Sequence, residues 1–344
     1  MTSTDVIAAA DCEQVLVVRD RAAGATAVLA VHDTRRGPAH GGIRRARYPD
    51  LGAAVADAVA LAQAMTWKCA LAELPAGGGK TVVLDHDGLD RTAAYRLVGR
   101  TVAQLGGRYF TGPDVGTGDD DLRVVAAETP FVATATAADA GPGDLAAATA
   151  TGVLAALGAL AERLGARVAD LRVAVQGLGA VGWQLCRLLH GAGAHLVVAD
   201  VLAVRTAEAA TAFGAAVVAP ERITATPCDV FAPCALGGVL TPAVCEQLPA
   251  RGVCGAANNV FTGADAAAVL HRRGVLAVPD FVANAGALIL GATWHLQRVR
   301  ADAARLQRIG ATAGLLLDRA RTEDVPPAVL ALQLARERAA APPG

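Results

Sequence analysis

At 344 residues, with 53% hydrophobic residues, 18% charged residues and a formal net charge of −1, the chain is long enough for two hydrophobic cores. It carries no basic excess that would bind nucleic acid or an anionic membrane surface. Seven cysteines, an odd number scattered among apolar residues, fit reduced thiols rather than a disulfide framework, and none of their spacings is that of a metal site. The expectation is a cytoplasmic protein whose partners are small molecules, without a metal ion, nucleic acid or membrane.

In chain order, the segment from Met1 to Ile7 lacks the basic-then-apolar pattern of a secretory signal. Val15–Val18 and Ala27–Val31, separated by a polar turn at Gly24, read as two paired strands. The second runs into His32–Arg44, where Gly37-Pro38 and Gly41-Gly42 mark a loop that presents backbone. Apolar residues then recur at helical spacing from Leu51 to Met65.

The next stretch, Met65 to Lys80, places two lysines, Lys68 and Lys80, in an apolar setting, separated by Pro75 and by Gly77-Gly78-Gly79. The glycines read as a tight loop, and Thr81–Leu84 as the strand that leaves it. An apolar setting disfavours the ammonium form and lowers a lysine's pKa, which makes a general base usable near neutral pH. The alternative is a pair of lysines that snorkel to solvent. Cys69 is read as a small buried hydrophobe rather than a reactive thiol.

A helix from Arg91 to Leu105 leads to Tyr109–Thr117, and Asp119-Asp120-Asp121 suit the N-terminus of the following helix by complementing its dipole. Asp114 sits in a Gly-Pro loop among neighbours too small to pair with it. Ala138–Asp144 is expected to be a hinge between domains. The longest uncharged run, Leu145 to Ala161, is short of the ~20 residues of a membrane span and rich in small residues. A buried helix over Ala146–Leu164 is expected there. Leu171–Val175, a helix from Val181 to His190, and His195–Asp200 form a β-α-β pattern, and the alternation continues to about Pro279, the pattern of a parallel sheet covered on both faces. From Asn284 to about Arg338 the chain reads as helical, with a frayed tail from Ala339. Isolated histidines such as His86 and His190 are assigned to the surface or to caps.

Gly177-Leu178-Gly179-Ala180-Val181-Gly182 follows a strand and opens a helix. There the first glycine permits the tight turn, the second lets backbone approach a pyrophosphate, and the third packs helix on strand. Asp200, at the end of the next strand, suits the ribose hydroxyls of NAD and repels the 2′-phosphate of NADP.

Seven stretches carry a family resemblance: Gly37–Arg44, Met65–Lys80, Thr111–Val115, Gln176–Gly182, Pro227–Cys234, Gly255–Asn259 and Pro279–Gly286. In these the chain resembles the amino-acid dehydrogenases acting on glutamate, leucine, phenylalanine and valine, and is similar above all to the phenylalanine branch. The resemblance implies an α/β protein of two domains: an N-terminal α/β substrate and oligomerisation domain over 1–139 and a Rossmann-type doubly wound NAD-binding domain over 140–288. C-terminal helices over 289–344 would pack back on the first domain, and the protein would be a homo-oligomer. It further implies reversible conversion of an L-amino acid, NAD and water into a 2-oxo acid, ammonia and NADH. Lys68 would bind the substrate carboxylate, Lys80 would activate water, Asp114 would relay protons to and from the amino nitrogen, and Asn284 and Gly42 would position the substrate. Thr149 and Asn259 match positions near the nicotinamide, and Arg44 one that reaches toward the cofactor. The chain departs from the family pattern at Leu145, Ala147 and Ala287.

By the same resemblance the side-chain pocket is lined near His40, Gly112, Leu288 and Gly291. Gly112 and Gly291 make room for a ring, and Leu288 returns some volume. The His40 imidazole either faces solvent or hydrogen-bonds a polar group of the substrate, such as a phenol hydroxyl or an indole N–H. A large hydrophobic or aromatic amino acid is expected. The alternatives are leucine or valine, glutamate, or a nucleotide-binding regulator without catalysis.

Overall fold

The computed structural model describes residues 11–132, 141–263 and 265–341. The chain divides into two compact units, one drawn from residues 1–143, 290–300 and 335–344, the other from 144–289 and 301–334. The boundary expected at residues 139 and 140 lies outside the described residues, as does the start of the expected hinge.

The first unit is built on strands β1 (Gln14–Asp20), β2 (Ala25–Asp33), β3 (Ala39–His40), β4 (Ile43–Ala46), β5 (Gly77–Leu84) and β6 (Tyr109–Phe110). They form one mixed sheet in the order β1-β2-β5-β3-β6, with β4 also pairing β5. The expected hairpin is present: β1 and β2 pair antiparallel around Gly24, whose φ of 63° suits the turn. Alternation along the strands sorts the core into two layers. Val28, Ala30 and Val82 face helix α1 (Leu51–Leu71) through Ala54, Val55, Ala58, Val59 and Ala62. Ala27, Leu29, Val31 and Val83 face helix α2 (Arg91–Gln104) through Ala94, Tyr95, Val98 and Val102. The next helix, α3 (Asp119–Ala126), opens on the three aspartates. Asp121 is buried, accepts from the Gly118 N–H at 2.8 Å and pairs with Arg91 at 2.6 Å.

The glycine run is strand, not loop. Gly77, Gly78 and Gly79 all belong to β5, and a Cβ on Gly78 would lie 2.1 Å from the Thr66 N and 2.3 Å from the Ala62 O. The glycines are there because α1 and the neighbouring strands press directly on this backbone.

The second unit holds helix α4 (Leu145–Arg163), strand β7 (Arg172–Gln176), helix α5 (Ala180–Gly191), strand β8 (His195–Ala199), helix α6 (Ala203–Phe213) and strand β9 (Ala216–Val217). These are followed by β10 (Val230–Pro233), α7 (Pro242–Gln247), β11 (Gly252–Val253), α8 (Ala266–Arg272), β12 (Leu276–Ala277) and α9 (Asp280–Ala283). The six strands form one parallel sheet in the order β12-β11-β10-β7-β8-β9. The chain thus starts in the middle, winds one way and then the other, and the ends of β7 and β10 mark the switch point where doubly wound sheets bind ligands. Asp144 caps α4 by accepting from the Ala147 N–H at 2.9 Å. This helix is long and apolar enough to cross a membrane, with mean hydropathy 1.6, but its buried residues pack it into the second unit.

The C-terminal helices are α10 (Gly286–Gln297), α11 (Ala303–Glu323) and α12 (Pro327–Ala340), and they do not return to the first unit as a block. Residues 301–334 belong to the second unit. Small residues bring α11 against α4: Gly152 lies under Ile309, Gly310 against the Ala155 carbonyl, and Arg163 pairs with Asp318 at 2.5 Å. Only residues 290–300 and 335–344 join the first unit. There Ala339 is buried in α12, and the Arg338 and Ala341 carbonyls accept from Arg36 at 2.8 and 3.0 Å. The fraying expected from Ala339 is therefore not seen through Ala341, and residues 342–344 lie outside the described residues.

Candidate active site

Lys80 lies inside β5 with 6% of its surface exposed. Its Nζ is 2.8 Å from Asp114 Oδ2, so the partner that Asp114 lacks locally comes from another strand. Arg44 on β4 donates from Nε to the same oxygen at 3.1 Å and reaches Asp57 on α1 at 3.3 Å. Tyr48 donates to Asp57 at 2.5 Å. The result is a chain of alternating charge, lysine, aspartate, arginine, aspartate, closed by a phenol.

Burial is the largest influence on Lys80 and pulls its pKa below the usual lysine value. The Asp114 carboxylate opposes this, and the Arg44 guanidinium adds to it. For Asp114, burial by itself would raise the pKa, but the Lys80 and Arg44 charges more than offset it and hold the carboxyl below its usual range. The pair thus consists of a firmly ionised aspartate and a lysine displaced toward its neutral form, an arrangement suited to proton transfer.

Around this pair, Gly42 is pressed against Asp114: a Cβ there would lie 2.3 Å from the Pro113 O and 3.0 Å from Asp114 Cβ. Lys68 occupies the last turn of α1 and is half-buried. Cys69 is fully buried, donates to the Gly77 carbonyl at 3.2 Å and has its thiol pushed up to about 12 by burial. His40 is 3% exposed, stacked on Phe110 with ring centroids 5.2 Å apart and an interplanar angle of 9°. That corrects the solvent-facing alternative. Gly112 and Gly291 are buried in the same unit.

The second unit carries the other expected residues. Gly177 takes φ 94°, and a Cβ on Gly182 would lie 2.0 Å from the Gly177 O, as the turn and the close helix–strand packing demand. At Gly179, the N-cap of α5, a Cβ would meet nothing within 4 Å, and no side chain caps the helix. The N-terminus of α5 is therefore open at Gly179, where an anion such as a pyrophosphate can approach the backbone. Asp200 accepts from the Leu178 N–H at 2.6 Å and the Leu202 N–H at 2.9 Å, so it also ties β8 to the turn. Thr149 donates to the Leu145 carbonyl at 2.9 Å. Asn284 donates to the Ala256 carbonyl at 3.1 Å and to Asn258 Oδ1 at 2.7 Å, and its buried Oδ1 has no partner among the described residues. Asn259 is exposed with φ 51°. Leu288 is half-buried in α10. Arg44, expected near a cofactor, pairs with Asp114 and Asp57.

Asp57, Tyr48, Asn258, Phe110 and His295 were not legible as site residues. Asp57 left a signal: it and Lys68 are the only charged residues in the 21-residue α1. Phe110 and His295 left none, because β6 and α10 are brought together only by the fold.

A lysine displaced from protonation beside a carboxylate, in an α/β chain that also folds a dinucleotide turn, defines a class: enzymes that move protons on a substrate while a nicotinamide takes its hydride. Within that class the chain belongs to the Glu/Leu/Phe/Val dehydrogenases. The dimerisation domain of that family matches residues 12–131, and the Glutamate/Leucine/Phenylalanine/Valine dehydrogenase domain matches 141–202 and 201–305. The chain is 37% identical to a leucine dehydrogenase of Bacillus cereus over 335 residues, 96% of this chain and 91% of that one. It is 38% identical to a valine dehydrogenase of Streptomyces albus over 343 residues, 95% of this chain and 92% of that one. The crystal structure of L-tryptophan dehydrogenase from Nostoc punctiforme is similar at TM-score 0.85 and 35% identity, covering 98% of each chain. The chain is therefore an amino-acid dehydrogenase, an oxidoreductase acting on CH–NH2 donors, of a family dependent on NAD or NADP.

Proposed function

We propose that this enzyme catalyses the reversible oxidative deamination of a large hydrophobic or aromatic L-amino acid with NAD. The observation that carries the reading is the buried Lys80–Asp114 pair at 2.8 Å. Lys68 binds the substrate carboxylate. The Asp114 carboxylate takes the proton from the substrate ammonium group. The bound nicotinamide supplies the hydride acceptor. Lys80, in its neutral form, removes a proton from the water that attacks the resulting iminium carbon and passes it to solvent. As the C–N bond of the carbinolamine then breaks, Asp114 returns a proton to the departing nitrogen and Lys80 takes the hydroxyl proton, leaving the 2-oxo acid. Thr149 and Asn259 are the polar groups of the second unit offered to the cofactor. The glycine turn holds the pyrophosphate, and the Asp200 carboxylate favours NAD by repelling a 2′-phosphate.

Leucine or valine is the second reading, supported by the names of two of the relatives at least as well as phenylalanine is. The aromatic face formed by His40 and Phe110, with the open volume at Gly291, favours a ring. The match to a dimerisation domain supports a homo-oligomer, and seven free thiols fit the cytoplasm. The test is NADH formation from each of the twenty L-amino acids, repeated for Lys80→Ala. The variant is expected to bind NADH normally and to lose nearly all turnover. Retention of a tenth of the wild-type turnover would remove Lys80 from its role.

A further inference from the structure

The face of the first-unit sheet that presents Lys80 also presents aromatic rings that the proton chemistry leaves unused. His40 pairs with Gly78 on β5 and with Phe110 on β6. Its side chain therefore leaves the sheet on the same face as Gly78 and, two residues on, Lys80. One strand over and two residues along, the two Cα atoms are roughly 8 Å apart by strand geometry. His295, brought in by α10, lies 5.3 Å from the His40 ring and 4.6 Å from the Phe110 ring. His40 and His295 are 3% and 7% exposed.

The hydrogen bonding of His40 fixes its tautomer. Burial pushes its pKa down to about 4, so the ring is neutral at pH 7, and its Nδ1 lies 2.9 Å from the Pro38 carbonyl. A carbonyl only accepts, so Nδ1 carries the single proton and Nε2 is a bare lone pair. That Nε2 is buried and has no hydrogen-bond partner among the described residues. Room for a ligand lies alongside. Gly291 is one helical turn before His295, so both look out from the same face of α10. Gly291 is itself buried, yet a Cβ there would meet nothing within 4 Å.

An aliphatic side chain or a plain phenyl ring in this space would leave the Nε2 lone pair desolvated and unpaired, whereas a ring carrying a donor would satisfy it. We propose that His40 Nε2 is the specificity-determining acceptor of the substrate side-chain pocket. With His295 and Phe110 as its aromatic walls, that pocket selects an L-amino acid whose ring bears an N–H or O–H donor, an indole or a phenol. The inference rests on the amino-acid dehydrogenase reading and narrows its substrate class.

The test compares kcat/KM within two pairs that differ in the donor: L-tryptophan against L-3-benzothienylalanine, and L-tyrosine against L-phenylalanine. The donor-bearing member is expected to win by about tenfold or more in at least one pair, and the pair that responds tells indole from phenol. His40→Leu is expected to collapse that ratio toward one, and His40→Gln, which restores an acceptor, to recover part of it. Both pairs within twofold in the wild-type enzyme would overturn the inference, as would an unchanged ratio in a folded His40→Leu variant. Should that variant not fold, the wild-type pairs decide alone. NADH formation from leucine or phenylalanine with both pairs flat would overturn this inference only. No NADH formation from any amino acid would overturn the dehydrogenase reading and this inference with it.

Discussion

Arg44 divides one guanidinium between Asp114 and Asp57, so the electrostatics of the Lys80–Asp114 pair reach back to a carboxylate on α1. Removing that distant charge has a definite sign. Asp57 favours the Lys80 ammonium, whereas Arg44 disfavours it. Asp57→Asn should therefore lower the lysine pKa further and move the rising limb of the kcat/KM–pH profile to lower pH. A limb that stays in place, or moves up, would show that Asp57 is not coupled to the base. Asp200 has a comparable double role. Because its two oxygens hold the Leu178 and Leu202 N–H groups, Asp200→Ala should narrow the preference for NAD over NADP and also raise the KM for NAD by roughly tenfold or more, by loosening the turn. A narrowed preference with unchanged KM for NAD would deny the second effect. The sequence showed the chemical types at this scale: two lysines in an apolar setting and an aspartate without a local partner. It did not show partnerships, because the Lys80–Asp114 and Arg44–Asp57 contacts depend on which strands become neighbours.

At the scale of elements, hydrophobic periodicity placed most helices and strands to within a few residues, and the glycine turn after β7 stood where the motif put it. The run Gly77–Gly79 misled because glycine both ends strands and permits close packing, and only the neighbours tell the two uses apart. Those neighbours are the Ala62 carbonyl and the Thr66 N–H of α1, at 2.3 and 2.1 Å from a Cβ on Gly78. Gly78→Ala must push β5 away from the helix, with backbone on both sides of the collision. It should cost at least ~3 kcal/mol in unfolding free energy and reduce turnover, because Lys80 follows two residues later on the same strand. Gly158 supplies the contrast. It lies in α4 with nothing within 4 Å of its Cβ position, and Gly158→Ala should stabilise by about 0.5–1 kcal/mol. Thermal unfolding of the two variants checks both, and similar small effects would mean that the close approach at Gly78 is easily relaxed.

For the whole molecule, the division of the chain was the least legible feature. Nothing in the periodicity of α10, α11 and α12 tells that residues 290–300 and 335–344 belong to one unit and 301–334 to the other; that depends on which small residues face which helix. One consequence of residues 290–300 joining the first unit is that His295 is buried beside His40, and this gives the folded state a dependence on acid. Burial pushes His40 down to about 4, and burial with the neighbouring His40 and Arg298 pushes His295 down to about 3, from an ordinary value of 6.5. Below pH 6.5 the unfolded chain takes up protons at these positions and the folded one does not, so stability falls as pH drops through the interval from about 6.5 to 4. Both folded values lie below 5, so each imidazole costs roughly 2 kcal/mol of stability between pH 7 and pH 5. Asp114, whose lowered pKa stabilises the fold above its ordinary 3.8, loses that contribution only at still lower pH, and the lowered Lys80 destabilises the fold below 10.5. Comparison with His295→Leu isolates the histidine contribution, because that substitution leaves Asp114 and Lys80 in place. Urea unfolding at pH 7 and pH 5 should show a loss of several kcal/mol in the wild-type enzyme and a clearly smaller loss in His295→Leu. A loss below about 1 kcal/mol in the wild type would mean that the two rings accept protons without unfolding.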